Sequence, residues 1–206
     1  MKISAIQRSG GLAMITGSVL LALWSVLRIT LLPVIQRVKD FSVIVSNQHW
    51  ILISTIAFAG VLLMIFGFTA VYSLFYSRAG IIGFLGFLFV VTAFILEACQ
   101  IAWEIFVYPA ILSHLPSIPL FSESILMHHP MIALFRLIFQ IILALGVVLF
   151  TFSLISTKEF HKSAGILIFI GAVVYALGPM ISTYVAVSGV LVLSAGCLVL
   201  GRRLII

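Results

Sequence analysis

The chain is expected to fold as an all-α transmembrane bundle with six spans, and three observations carry that expectation. Of 206 residues, 64% are hydrophobic and only 8% charged, whereas soluble domains carry about 25% charged residues. The apolar residues gather into segments close to the roughly 20 residues that a helix needs to cross a hydrocarbon core of about 30 Å. The Lys and Arg residues stand mostly at segment ends and divide unevenly between the two sides, as topology signals do.

The first span, about 10–32, follows Lys2 and Arg8 much as a signal-peptide core would. Arg28 and Pro33 come next in place of an A-x-A-like cleavage site, so the segment is read as a retained span. Over 33–50, Val34, Ile35, Val38, Phe41 and Val45 keep a helical spacing. That segment is either a short helix on the outer membrane surface or an extension of the first span. The second and third spans fall at about 51–76 and 80–107, the third long enough to tilt or protrude. The longest outer loop is 108–130, where Pro109, Pro116 and Pro119 argue against a long helix. A fourth span occupies 131–156. The apolar run 164–201 is too long for one crossing, and Gly178-Pro179 is the expected break. It divides the run into spans at about 165–179 and 182–201. The glycine pairs Gly60/Gly67, Gly171/Gly178 and Gly189/Gly196 are each seven apart, a spacing that lets helices pack closely.

Orientation follows from the basic residues. With the N-terminus inside, Lys2, Arg8, Arg78, Lys158, Lys162, Arg202 and Arg203 lie on one side, and only Arg37 and Lys39 on the other. That asymmetry puts both termini in the cytoplasm. The net charge of +6 is not a nucleic-acid signature, because no basic run exceeds the pair Arg202-Arg203 and a phosphate-binding face would cluster its cations.

Between Gly80 and Tyr108 the only charged residues are Glu97 and Glu104. Their spacing of seven places both on one helix face. A carboxylate in lipid is costly unless it meets a partner, water or a proton. Counted from Pro109 and Pro130, Glu104 and Arg136 lie five and six residues deep, each roughly 8–9 Å in. Glu97 and Gln140 lie deeper at matching levels, and Arg28 stands five residues before Pro33. The expected polar layer therefore joins Glu97, Glu104, Arg136, Gln140, Arg28, Gln100 and hydroxyls such as that of Tyr184. It is an ion-pair network pinning three helices, a polar cavity open to the outside, or a set of side chains that snorkel to the surface without mutual contact.

Other chemistry finds little material. Asp40 is the one aspartate, which leaves a Ser-His-Asp triad almost without parts. Gly80, Gly83 and Gly86 form neither GxGxxG nor a P-loop. His49, His114, His128 and His129 fall on the outer side with Glu123, but without HxxxH or HExxH spacing. They are read as loop histidines, His114, His128 and His129 being the weak metal candidates. Cys99 and Cys197 sit in apolar segments and offer no disulfide framework. No metal, cofactor or catalytic set is expected.

Four stretches, IFGFTAVYSLF (65–75), GIIGFLGF (80–87), WEIFVYPAIL (103–112) and YALGPM (175–180), together resemble a family of bacterial six-span integral membrane proteins without an assigned activity. The resemblance covers about two thirds of the chain. It implies that Glu104, Phe106 and Pro109 close the third span and that Gly178-Pro179 separates the last two. It supplies no counterpart for Glu97. The expected location is accordingly a bacterial inner membrane. Two functions stay open: binding or passing a small polar solute, ion or proton at the outer-half polar site, or serving as a subunit that packs against another membrane protein or a second copy. The lipid bilayer is the one partner common to both.

Overall fold

A computed structural model describes residues 5–32, 44–114, 130–157 and 160–205, and among them every regular element is helical. In chain order these are α1 (Ala5–Leu31), α2 (Trp50–Ala102), a π-helical stretch (Trp103–Val107), α3 (Tyr108–His114), α4 (Pro130–Ser156), α5 (Lys162–Ile181) and α6 (Thr183–Ile205). Among the described residues five helical runs are long and apolar enough to cross a membrane: Ala5–Leu31, Trp50–Ile111, Leu134–Ser156, Lys162–Pro179 and Thr183–Ile205. The expected segment 33–43, Arg37, Lys39, Asp40, Pro116, Pro119, Glu123, His128, His129 and Lys158 lie outside the described residues.

The second of these runs is not straight. Gly80, with φ 57° and ψ −166°, breaks α2 in a backbone region that is essentially glycine-only. The Trp50 indole reaches the carbonyl of Glu104, 54 residues later, at 2.8 Å, whereas a straight helix would hold them about 80 Å apart. The rings of Phe68 and Phe94, one from each limb, lie 5.4 Å apart. α2 is therefore a helical hairpin whose two limbs fold back at Gly80.

Glycines set the contacts between neighbours. A Cβ on Gly17 would meet the Gly60 carbonyl at 2.9 Å, and one on Gly86 would meet Leu149 C and Phe150 Cα at 2.8 Å. Backbones thus touch between α1 and the first limb of α2, and between its second limb and α4. α5 and α6 show the regularity best. Gly171 faces Leu193, Gly178 faces Ala186, Gly189 faces Tyr175 and Gly196 faces Ile168. Each pair is equidistant in sequence from Ser182, the single residue joining the two helices. In lipid such close approach replaces the hydrophobic effect as the source of helix association.

Neighbour contacts run α1 to α2, α2 to α4, α4 to α5, α5 to α6 and α6 back to α1. With α2 counted as two limbs, six antiparallel rods close into a ring. Gly11 packs on Leu204, so the start of α1 and the end of α6 share one end of the bundle. The half of the ring toward Gly80 is filled by aromatic rings: Phe68 on Phe150 at 5.4 Å, Phe75 on Phe150 at 5.7 Å and Phe75 on Phe160 at 6.1 Å.

Two expected helix ends move. The helix expected to close at 107 continues through Pro109 to His114. The π-helical stretch immediately before Pro109 widens the backbone turn, which relieves the clash a proline makes with the preceding turn's carbonyl. The break expected at Gly178-Pro179 falls instead at Ser182, extended at φ −167° and ψ 158°. Pro179 is tolerated in the last turn of α5, and Ser182 accepts a 3.2 Å hydrogen bond from Val185 N, the usual way a serine starts a helix.

Candidate functional site

The centre of the helix ring holds a cavity of about 40 Å³ to which all six rods contribute: Trp24 from α1, Val61 and Glu97 from the two limbs of α2, Leu143 from α4, Tyr175 from α5 and Val190 from α6. Among the described residues of its lining Glu97 is the only charged one, and the rest are apolar or aromatic. The Tyr175 hydroxyl donates to Glu97 Oε1 at 3.2 Å. Phe94 lines the cavity and also packs on Phe68, so the aromatic stack forms its floor.

Glu104 sits two turns above Glu97, inside the π-helical stretch, and is 8% exposed. Its carboxylate accepts from Ser54 Oγ at 3.2 Å. Its carbonyl accepts from the Trp50 indole N–H, and that bond has a local cause. In the π register Tyr108 N donates to Trp103 O, and the next bond would run from residue 109 to Glu104 O. Residue 109 is proline and has no N–H. Trp50, 2% exposed, supplies the missing donor from the facing limb. A buried carbonyl left without a donor is rare and costly.

Arg28 and Arg136 are half-buried and stand within electrostatic reach of Glu104; Arg28 also reaches Glu97. Of the residues expected in one polar layer, these four are therefore near enough to influence one another electrostatically. The Arg28 guanidinium carbon lies 5.4 Å from the Trp24 ring centroid, a cation–π distance. Gln140 does not meet Glu97; its Nε2 donates to Ala176 O at 3.3 Å, in the turn that Pro179 loosens. The Gln100 side chain is half-buried without a hydrogen bond among the described residues, and Tyr184 is 58% exposed on the outside of the ring. No group of three metal-ligating side chains occurs among the described residues.

Sequence reasoning missed Tyr175, Ser54 and Trp50. Trp50 and Ser54 were open to the depth rule that located Glu104. Counted down from the start of the second span they stand at the level of residues just before Pro109. Tyr175 carried no such signal, because the expected helix end at Pro179 placed it too close to the surface. No family model, curated protein or solved structure matches this chain.

Proposed function

We propose that the chain crosses a bacterial inner membrane six times, with both termini cytoplasmic, and holds a central site for a small polar solute, ion or proton at Glu97. Two features support six crossings. The 62-residue run Trp50–Ile111 is about 93 Å of helix, three times the hydrocarbon thickness, and it folds back at Gly80. Of the eleven basic residues, Arg28 and Arg136 fall within spans, and the other nine divide seven to two between the expected cytoplasmic and outer sides, which favours cytoplasmic termini. Membership of the six-span bacterial family resembled by the 65–75, 80–87, 103–112 and 175–180 stretches is part of the same proposal.

One observation carries the site: Glu97, hydrogen-bonded to Tyr175, is the one charged residue among the described residues that line an otherwise apolar cavity reached from all six rods. Largely apolar pockets with a few placed polar groups are the usual form of a small-molecule site. The aromatic floor below Glu97 favours binding over transit, since passage requires Phe68, Phe94 and Phe150 to part. The small-residue faces that a partner subunit would use pack against neighbouring helices within the chain, which favours the site reading over the subunit reading.

The test is the reactivity of Glu97 toward dicyclohexylcarbodiimide, which adds to carboxyl groups in apolar surroundings. Peptide mass analysis of the purified protein is expected to find the adduct on Glu97. Glu97→Gln, which keeps an acceptor for Tyr175, is expected to stay helical and monodisperse while losing that adduct. An unreactive Glu97 in folded protein, together with a Glu97→Gln variant that fails to fold, makes the residue structural and ends the proposal.

A further inference from the structure

We infer that the seam between α4 and α5 is a portal to the bilayer, and that the cavity behind it receives the end of an alkyl chain from a membrane lipid. The inference goes beyond the Glu97 reading and stands without it, because it concerns the apolar wall alone. Of the described residues that line the cavity, Glu97, Phe139 and Tyr175 are half-buried and the others buried. Exposure is therefore concentrated on α4, α5 and the limb of α2 that carries Glu97. The cavity is only partly enclosed, and this is the side on which its wall is incomplete.

The tie across the seam at this level is weak. Gln140, next to Phe139, donates to the carbonyl of Ala176, next to Tyr175, at 3.3 Å, beyond the usual range for such a bond. That carbonyl lies near the end of α5, where Pro179 brings no N–H to the helix. The closest glycine contact between the two helices, Gly165 on Ile155, is near the other end of the seam. By contrast, glycines hold α5 to α6 along their length, and Gly83, Gly86 and Gly146 hold α2 to α4, the close approach that fastens helices in lipid.

Chemistry selects the occupant. Phe139 and Gln140 lie inside the run Leu134–Ser156, and Tyr175 and Ala176 inside Lys162–Pro179, each long and apolar enough to cross a membrane. Hydrocarbon is what a seam at that level meets. The lining is aliphatic and aromatic apart from Glu97 and the Tyr175 hydroxyl, which bond to each other. A polar guest would lose its hydration and find nothing in the wall to replace it, and a water needs two to four polar partners. An alkyl chain gives up no polar contact on entering. Its gain is dispersion with a wall that otherwise lacks partner atoms on one side. The volume of about 40 Å³ is little more than one water's share of the liquid, about 30 Å³, so only the terminus of the chain enters.

The test uses the full-length protein in liposomes containing a phospholipid with a photoreactive diazirine at the end of one acyl chain, followed by peptide mass analysis. Adducts are expected on Leu143 and Leu193, which are 5% and 7% exposed and which a sealed bundle keeps from lipid, as well as on the outward Leu137 and Leu145. Ala93→Leu, which enlarges a side chain of the cavity wall, is expected to abolish the inward adducts and keep the outward ones. Gln140→Ala, which removes the tie, is expected to raise inward labelling about fivefold, as the loss of one ordinary hydrogen bond would. Adducts confined to Leu137 and Leu145 in folded wild-type protein overturn the portal. So do inward adducts that survive unchanged in folded Ala93→Leu, or that Gln140→Ala does not increase. Reaction of Glu97 with dicyclohexylcarbodiimide in a sample without inward adducts leaves the Glu97 site standing and removes the portal alone.

Discussion

Trp50 and Pro109 form a coupled pair across the α2 hairpin. Proline withholds the N–H that the π register asks for at Glu104 O, and the indole of Trp50 supplies it. Trp50→Phe keeps the ring and leaves that carbonyl without a donor, a loss of about 1–3 kcal/mol. Pro109→Ala restores a backbone N–H, so in that background Trp50→Phe is expected to cost less. Thermal unfolding of the four proteins of this cycle measures the coupling, and additive effects would show that the indole fills no gap left by proline. The same bond accounts for a polar indole N–H being accommodated where Trp50 is only 2% exposed. Its N–H has a task that composition does not reveal.

Two glycines of α2 are required for different reasons. At Gly80 the neighbourhood is open, with no atom within 4 Å of an added Cβ, but φ is +57°. Gly80→Ala is expected to cost about 1–3 kcal/mol of backbone strain and to change no packing. At Gly86 the backbone is ordinary helix, but an added Cβ would lie 2.8 Å from Leu149 C and Phe150 Cα. There the helices must separate, and the loss is expected to exceed that at Gly80. The two variants are compared by melting temperature and by cross-linking of cysteine pairs placed at Ser153 and Gly83; equal loss in both would deny that Gly86 sets the helix spacing. The hairpin of α5 and α6 follows the same logic. Its glycines at spacing seven were legible as a packing face, but their partners were not. Partner choice depends on where the chain turns, and Ser182 shifts that turn three residues beyond Pro179.

Closure of the ring brings the starts and ends of the chain together and puts one cavity on its axis. The proposed topology makes a direct prediction. In a background without native cysteines, Ser46→Cys is expected to react with a membrane-impermeant maleimide from outside intact cells. Ser163→Cys, at the Lys162 end of α5, is expected to react only after permeabilisation; its labelling from outside would invert the orientation. Charge alone supports that orientation, whereas the positions of Gly11 and Leu204 make the number of rods even irrespective of it.

Sparse charge and apolar segment length by themselves determined that this chain is helical and suited to lipid, because nothing else satisfies backbone hydrogen bonds there. Depth counting, which relies on a constant helical rise, also led to the expectation of a layer joining Glu97, Glu104, Arg28 and Arg136. Only the tertiary structure decided that Glu104 turns to Ser54, that Tyr175 and not Gln140 meets Glu97 and that Tyr184 faces outward. Rotation of each helix about its axis decides which side chains meet at a shared depth. That rotation is set by glycine contacts between rods distant in sequence, which no local pattern records.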